Sequence, residues 1–286
     1  MAPPWKERLD SIRLTSLKDL FGVDKPVIGM VHLWPLPGAP GYTGYGMDVI
    51  VEQALSDARV LVQGGVDGLI VENMWDLPFF VGKLVPPEEL TAMAVAARAV
   101  IEAVQAEGIP VGINVIHNGG RGCLAIAVAV GAAFIRVCIL TGARLWDTGE
   151  LDHGCGAELL RVRKALDAEH IKLFADVDKK HSVPFPGIDL ETHIEWTEFY
   201  RADALIVSGR MTGSAPDLEK VRQASELATQ PILMGSGTTP GNIADFLRYA
   251  DGAIVGSGLK VDGEGTNPVD PDRVRAYMEA VRTVRR

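Results

Sequence analysis

Eight short apolar runs, each separated from the next by a longer stretch of helical pattern, constrain this chain more than any other feature. The runs are Val27–His32, Gly68–Asn73, Val111–Ile116, Phe134–Ile139, Lys172–Val177, Ala204–Ser208, Ile232–Gly235 and Ala253–Gly256. Each is rich in Val, Ile or Leu over nearly its whole length, as parallel strands buried on both faces are. Helices are expected over Met47–Gln63, Glu88–Glu107, Gly156–Ala168, Asp189–Tyr200, Ala215–Ala228, Pro240–Arg248 and Asp270–Val284, with a shorter one over Arg121–Val130. Thr239-Pro240 puts a capping hydroxyl before a proline at the first helical position, and Ser214-Ala215-Pro216-Asp217 is a similar opening.

Strands alternating with helices leave two architectures, a closed barrel and a doubly wound open sheet. An open dinucleotide-binding sheet carries GxGxxG after its first strand. Here the first run continues into His32-Leu33-Trp34-Pro35-Leu36-Pro37-Gly38, so that fingerprint is absent. The fold expected is therefore α/β, a (β/α)8 barrel. A length of 286 residues suits one such barrel. No linker composition divides the chain, so residues 1–286 are read as a single domain. Residues 1–25 form an N-terminal helical extension covering the barrel bottom or an interface.

Composition narrows the function. The net charge is −9 and no basic stripe with interleaved aromatics occurs, which argues against nucleic acid as a partner. Cys123, Cys138 and Cys155 are odd in number and form no CxxC pair, so neither a disulfide framework nor a zinc site is expected. The N-terminus lacks the apolar core of a signal peptide. The longest apolar stretch, Leu124–Leu140, is broken by Gly131 and Arg136, so no membrane insertion is expected. A cytoplasmic protein fits these features. HExxH is missing and the six His are scattered, so no metal and no cofactor is expected.

Barrels place their chemistry at the C-terminal ends of the strands. Runs seven and eight end in Gly235-Ser236-Gly237-Thr238 and Gly256-Ser257-Gly258. Glycines let backbone N–H groups approach an anion closely, and a helix start after Thr239 would add partial positive charge. These two turns predict a phosphate site, with Lys260 behind the anion. Run six ends in Ser208 and a glycine-rich turn that includes Thr212, a further candidate for ligand contact. Run five ends in Asp176-Val177-Asp178-Lys179-Lys180, and alternation puts Asp176, Asp178 and Lys180 on one face. Asp176 is the candidate general acid or base, tuned by desolvation, with Glu72 and Lys180 beside it. A carboxylate near a lysine also suits a Schiff-base site or a metal corner. His32, Asn73, Asn114, Arg136 and Asp178 complete a polar mouth for the rest of a ligand. Arg136, inside a strand, must pair with a carboxylate or a ligand anion.

Several of these segments resemble the BtpA family, which includes SgcQ-like proteins. The resemblance rests on Val27-Ile28-Gly29-Met30-Val31-His32-Leu33-Trp34-Pro35-Leu36-Pro37-Gly38, on Asp67-Gly68-Leu69-Ile70-Val71-Glu72-Asn73, and on Ile254-Val255-Gly256-Ser257-Gly258-Leu259-Lys260-Val261-Asp262-Gly263. It covers nearly the whole chain. It implies a phosphate-binding TIM barrel, ribulose-phosphate-binding-barrel-like, and its name comes from a role in photosystem I biogenesis. Two functions fit. One is an enzyme of lyase, aldolase or isomerase type acting on a small phosphorylated ligand such as a phosphosugar or nucleoside phosphate. The other is a non-catalytic assembly or stability factor. The polar strand ends favour the enzyme. A homodimer or higher homo-oligomer is expected, because Leu9, Ile12, Leu17, Leu20, Phe21 and the Trp34-Pro35-Leu36 loop need covering.

Overall fold

Strand order decides between the two architectures. The computed structural model describes residues 7–8, 11–14, 16–209 and 216–285. In chain order its strands are β1 (Val27–His32), β2 (Gly68–Glu72), β3 (Val111–Asn114), β4 (Phe134–Val137), β5 (Ala143–Trp146), β6 (Leu151–His153), β7 (Lys172–Asp178), β8 (Ser182–Pro184), β9 (Ala204–Val207), β10 (Ile232–Met234) and β11 (Gly252–Val255). Eight of them close a parallel barrel in the order β1-β2-β3-β4-β7-β9-β10-β11 and back to β1. These eight coincide with the eight apolar runs. The other three form a separate antiparallel sheet, β6-β5-β8, which the sequence did not announce. Its strands are only three or four residues long, too short for a period to register.

Alternation along the strands sorts the barrel interior into layers. The lower positions are apolar: Ile28 and Met30, Ile70, Phe134, Phe174, Ile206, Leu233 and Ile254 form one cluster. The next inward position on each strand is polar or glycine. In register these are His32 beside Glu72, Glu72 beside Asn114, and Asn114 beside Arg136. The layer continues with Asp176, then Ser208, Gly235 and Gly256 just past their strands. A second, larger apolar cluster lies between the sheet and its helices.

The N-terminal residues close the bottom. Leu14, Leu17 and Phe21 join the interior cluster, and the Phe21 ring meets Phe134 edge-on with centroids 5.7 Å apart. A side chain on Gly68 would meet Phe21 at 2.5 Å, so this close approach requires glycine. Leu36 is also fully buried, while Trp34 is 41% exposed. Of the apolar residues that suggested an oligomer, Leu17, Leu20, Phe21 and Leu36 therefore cover their own barrel; Leu9 lies outside the described residues.

One device recurs at the strand starts. Asp67, Asp203 and Asp251 each precede a strand and accept an N–H from the first or second residue of the neighbouring one, from Val27, Leu173 and Ile232 at 2.8, 2.8 and 2.9 Å. Helices occupy Met47–Gly64, Pro87–Val104, Gly120–Val130, Gly156–Ala165, Leu190–Phe199, Leu218–Leu227, Ile243–Phe246 and Pro271–Arg282. The one after β10 is a correction. It is a single turn beginning at Ile243, because Thr239 does not cap it; the Thr239 N–H donates instead to Asn242 Oδ1 at 2.7 Å. The capping residue of Leu218–Leu227 is Asp217; Ser214 and Ala215 lie outside the described residues. Among the described residues no helix is long and apolar enough to cross a membrane.

Candidate active site at the barrel mouth

Both glycine-rich turns wall one cavity of about 110 Å³ at the mouth. Gly235, Ser236, Gly237 and Thr238 form one side and Gly256, Ser257 and Gly258 another. The glycines are forced by close approach. A side chain on Gly235 would strike Ser208 Oγ at 2.2 Å, one on Gly256 would strike His32 at 2.8 Å, and one on Gly258 would strike the Thr238 carbonyl at 2.5 Å. Gly237 has φ +74°, in the left-handed region. Among the described residues, no backbone carbonyl accepts from the amides of Ser236, Gly237 or Thr238. The Ser236 hydroxyl is buried and has no partner there either. Thr238 is different: its hydroxyl accepts from Tyr277 at 2.8 Å and holds the turn to the last helix.

Cations and the polar layer complete the wall. His32, Glu72, Arg136, Lys180 and Arg273 all line the same cavity. His32 Nε2 lies 3.6 Å from Glu72 Oε1, and its Nδ1 has no hydrogen-bond partner among the described residues. Burial, followed by the charges of Lys260, Lys180 and Arg136, holds this imidazole well below its ordinary pKa, so it is neutral. Burial and then neighbouring Lys179 push the Lys180 ammonium down to about 8.

Several expected site residues are used otherwise. Asp176 is locked in a two-pronged pair with Arg136, at 3.0 Å to Nε and 2.9 Å to Nη2, with both side chains buried. Burial alone would raise its pKa, but the charges of Arg136 and Lys179 and the hydrogen bonds from Arg136 and Ser208 outweigh it. The carboxyl sits below its ordinary range, the reverse of the tuning expected for a general acid or base near neutral pH. Asp178 does not share the face of Asp176, because β7 bulges between them. It pairs with Lys220 at 2.6 Å and Arg144 at 3.6 Å. Asn73 follows the end of β2 and turns away: its amide clamps Ile116 N–H at 2.8 Å and Asp76 at 3.2 Å. Asn114 is in the polar layer but fully buried, donating to the Arg136 carbonyl at 3.0 Å. Lys260 does not sit behind the anion cavity; it pairs with Asp57 at 3.3 Å and donates to the Asn267 carbonyl at 3.0 Å. Thr212 lies outside the described residues.

Arg273 was missed. Its Nε donates to the Gly258 carbonyl at 3.2 Å, which aims the side chain at the second glycine turn. A signal was present: Asp270 and Pro271 open the last helix, and a cation in a first turn opposes the helix dipole. Among the described residues no group of three or more His, Cys, Asp and Glu side chains is arranged to hold a metal ion.

Compared with known proteins, the chain matches the BtpA family model over residues 23–283. An uncharacterized protein of Thermococcus kodakarensis is 41% identical over 261 residues, covering 91% of this chain and 97% of that one. The photosystem I biogenesis protein BtpA of Synechocystis is 41% identical over 263 residues, covering 91% and 89%. Among solved structures, thiamine phosphate pyrophosphorylase from Pyrococcus furiosus matches with a TM-score of 0.58 at 14% identity, over 94% of this chain and 99% of that one. At that identity the likeness is one of fold.

Proposed function

This chain belongs to the BtpA family, and we propose that it is an enzyme acting on a small phosphorylated metabolite held at the mouth of the barrel. One observation carries the reading: among the described residues, three turn residues with unpartnered amides, the unpartnered Ser236 hydroxyl and Arg273 line a single cavity. Backbone N–H groups in a glycine turn together with an arginine make a phosphate-sized anion site. The non-phosphate part of the ligand would meet His32, Glu72 and Lys180. Asp176 and Arg136 act as the fixed floor under them, and proton transfer falls to Glu72 and Lys180. Lyase, aldolase and isomerase chemistry all fit this set. The matching solved enzyme carries a phosphate in its name, which agrees with the reading.

A second reading, a non-catalytic assembly or stability factor, is favoured by the name of the Synechocystis relative. A scaffold has no need of buried charges and unpartnered donors in one small cavity. Calorimetry with inorganic phosphate and with small phosphorylated metabolites tests the choice. Gly237→Asp puts a carboxylate into the turn at a left-handed position that aspartate tolerates. It should abolish phosphate binding with the fold intact. Arg273→Met should weaken binding by roughly 10-fold or more, as loss of a charge-assisted contact does. A Gly237→Asp protein that binds phosphate as tightly as the parent would sink the reading.

A further inference from the structure

We infer that the Lys180 side-chain amine is a nucleophile that condenses with the carbonyl carbon of a phosphorylated aldehyde or ketone. The inference rests on the phosphate reading above and names the substrate class within it.

The first ground is the state of the lysines. Among the described residues, Lys18, Lys164, Lys179, Lys220 and Lys260 each pair with a carboxylate. Lys25 and Lys172 donate to backbone carbonyls. Lys180 does neither, although it lines the cavity. An ammonium without a partner, beside other cations, is the one that gives up its proton most easily. Burial and Lys179 bring its pKa down to about 8, so a useful fraction is neutral amine at neutral pH.

The second ground is placement. Lys180 shares one small cavity with both glycine turns. A ligand whose phosphate sits in those turns is short of room, so a carbonyl one or two atoms from the phosphate ester falls beside the amine. Holding the two reactants together replaces a bimolecular encounter by an internal step. Arg136 and Lys179 do not compete, because both are engaged by Asp176.

The step balances without redox change. The nitrogen lone pair forms a bond to the carbonyl carbon while the carbonyl π pair moves to oxygen. Both amine hydrogens end on that oxygen, which leaves as water, and the carbon–nitrogen double bond closes. One amine and one carbonyl give one imine and one water. Protonated, the imine withdraws electrons from the neighbouring carbon, and Glu72 on the same wall is placed to accept a proton from there.

Reductive trapping tests this. The full chain is incubated with sodium cyanoborohydride and dihydroxyacetone phosphate, or glyceraldehyde 3-phosphate, and adducts are mapped by peptide mass. The expected result is a single adduct on Lys180. Excess inorganic phosphate should suppress it, Lys180→Arg should lose it, and Lys179→Arg should keep it. No adduct with either probe overturns the inference, as does labelling spread evenly over surface lysines or unchanged in Lys180→Arg. Calorimetry with inorganic phosphate on the same protein separates the two claims. Phosphate binding without an adduct leaves the phosphate site standing and removes the imine. An adduct on Lys180 that phosphate neither prevents nor slows keeps the nucleophile and removes the phosphate site. Urea denaturation of Lys180→Arg checks that lost labelling is not lost fold.

Discussion

Asp176 and Arg136 show how one pair can be read two ways. An aspartate at the catalytic end of a barrel strand is a natural general base, and desolvation would tune it upward. Here the guanidinium grips both carboxylate oxygens, and its charge together with that of Lys179 outweighs desolvation. Because the folded-state pKa is depressed, the pair contributes stability that is present above the ordinary carboxylate value of 3.8 and is lost as pH falls below it. Asp176→Asn should therefore cost about 3–5 kcal/mol at pH 7, the loss expected when one partner of a buried pair is removed. Urea denaturation at pH 7 measures it, and a loss under about 1 kcal/mol would mean that the pair is not the fixed floor described here. The other residue-scale departures have local physical causes. Strand ends pointed to His32, Glu72, Asn114 and Asp176, and a charge inside an apolar run to Arg136; all five lie on strands, where side-chain direction has a fixed period, and share the polar layer. The strand-end reading did not hold for Asn73, one residue past its strand, nor alternation for Asp178, one bulge beyond Asp176. Lys260 follows a 3-10 turn that carries it round to Asp57. Arg273 comes from a later element, and no spacing rule links it to the glycine turn it serves.

At the scale of elements, the barrel strands were legible because burial on both faces leaves unbroken apolar runs. Their capping aspartates were present in the sequence as Val-Asp-Gly, Ala-Asp-Ala and Ala-Asp-Gly, but only the neighbouring strand reveals what they accept. The loop between β1 and the helix Met47–Gly64 was the element read least well. It was taken as an exposed apolar loop, yet Asp76 accepts the Leu36 N–H at 2.8 Å and draws the loop inward. Asp76 lies near the buried Glu89, and the two acids resist ionising together. Burial and then the Asp76 charge raise Glu89 to about 7, and burial raises Asp76 to about 6. A carboxyl with a raised folded-state pKa leaves stability intact below its unfolded value of 4.5 and removes it as pH rises through 7. Glu89→Gln should thus stabilise the protein at pH 8 by on the order of 2–3 kcal/mol and change little at pH 4.5. Urea midpoints at the two pH values give the answer. An equal effect at both would show that the carboxyl is not held neutral by its surroundings.

The whole molecule divides along the barrel axis. Below the polar layer the interior is apolar and sealed by Leu14, Leu17 and Phe21; above it lie the glycine turns, Lys180 and Arg273. Barrels commonly keep stability at the end where the strands begin and chemistry where they finish. The two ends should then respond to mutation independently. Phe21→Ala removes a ring that packs on both Phe134 and Phe174. It should cost about 3–5 kcal/mol, the range for buried Phe→Ala, with the phosphate dissociation constant unchanged. Arg273→Met should weaken phosphate binding and cost little stability, because among the described residues its side chain makes one hydrogen bond, to a half-buried turn carbonyl. In the double variant the stability loss should equal that of Phe21→Ala, and the affinity loss that of Arg273→Met, each within about 0.5 kcal/mol, since the sites share no partner. Urea denaturation without ligand and phosphate titration by calorimetry measure the two quantities on the same four proteins. A larger departure from additivity would mean that the bottom plug and the mouth move together, through the layer of Arg136 and Asp176 that lies between them.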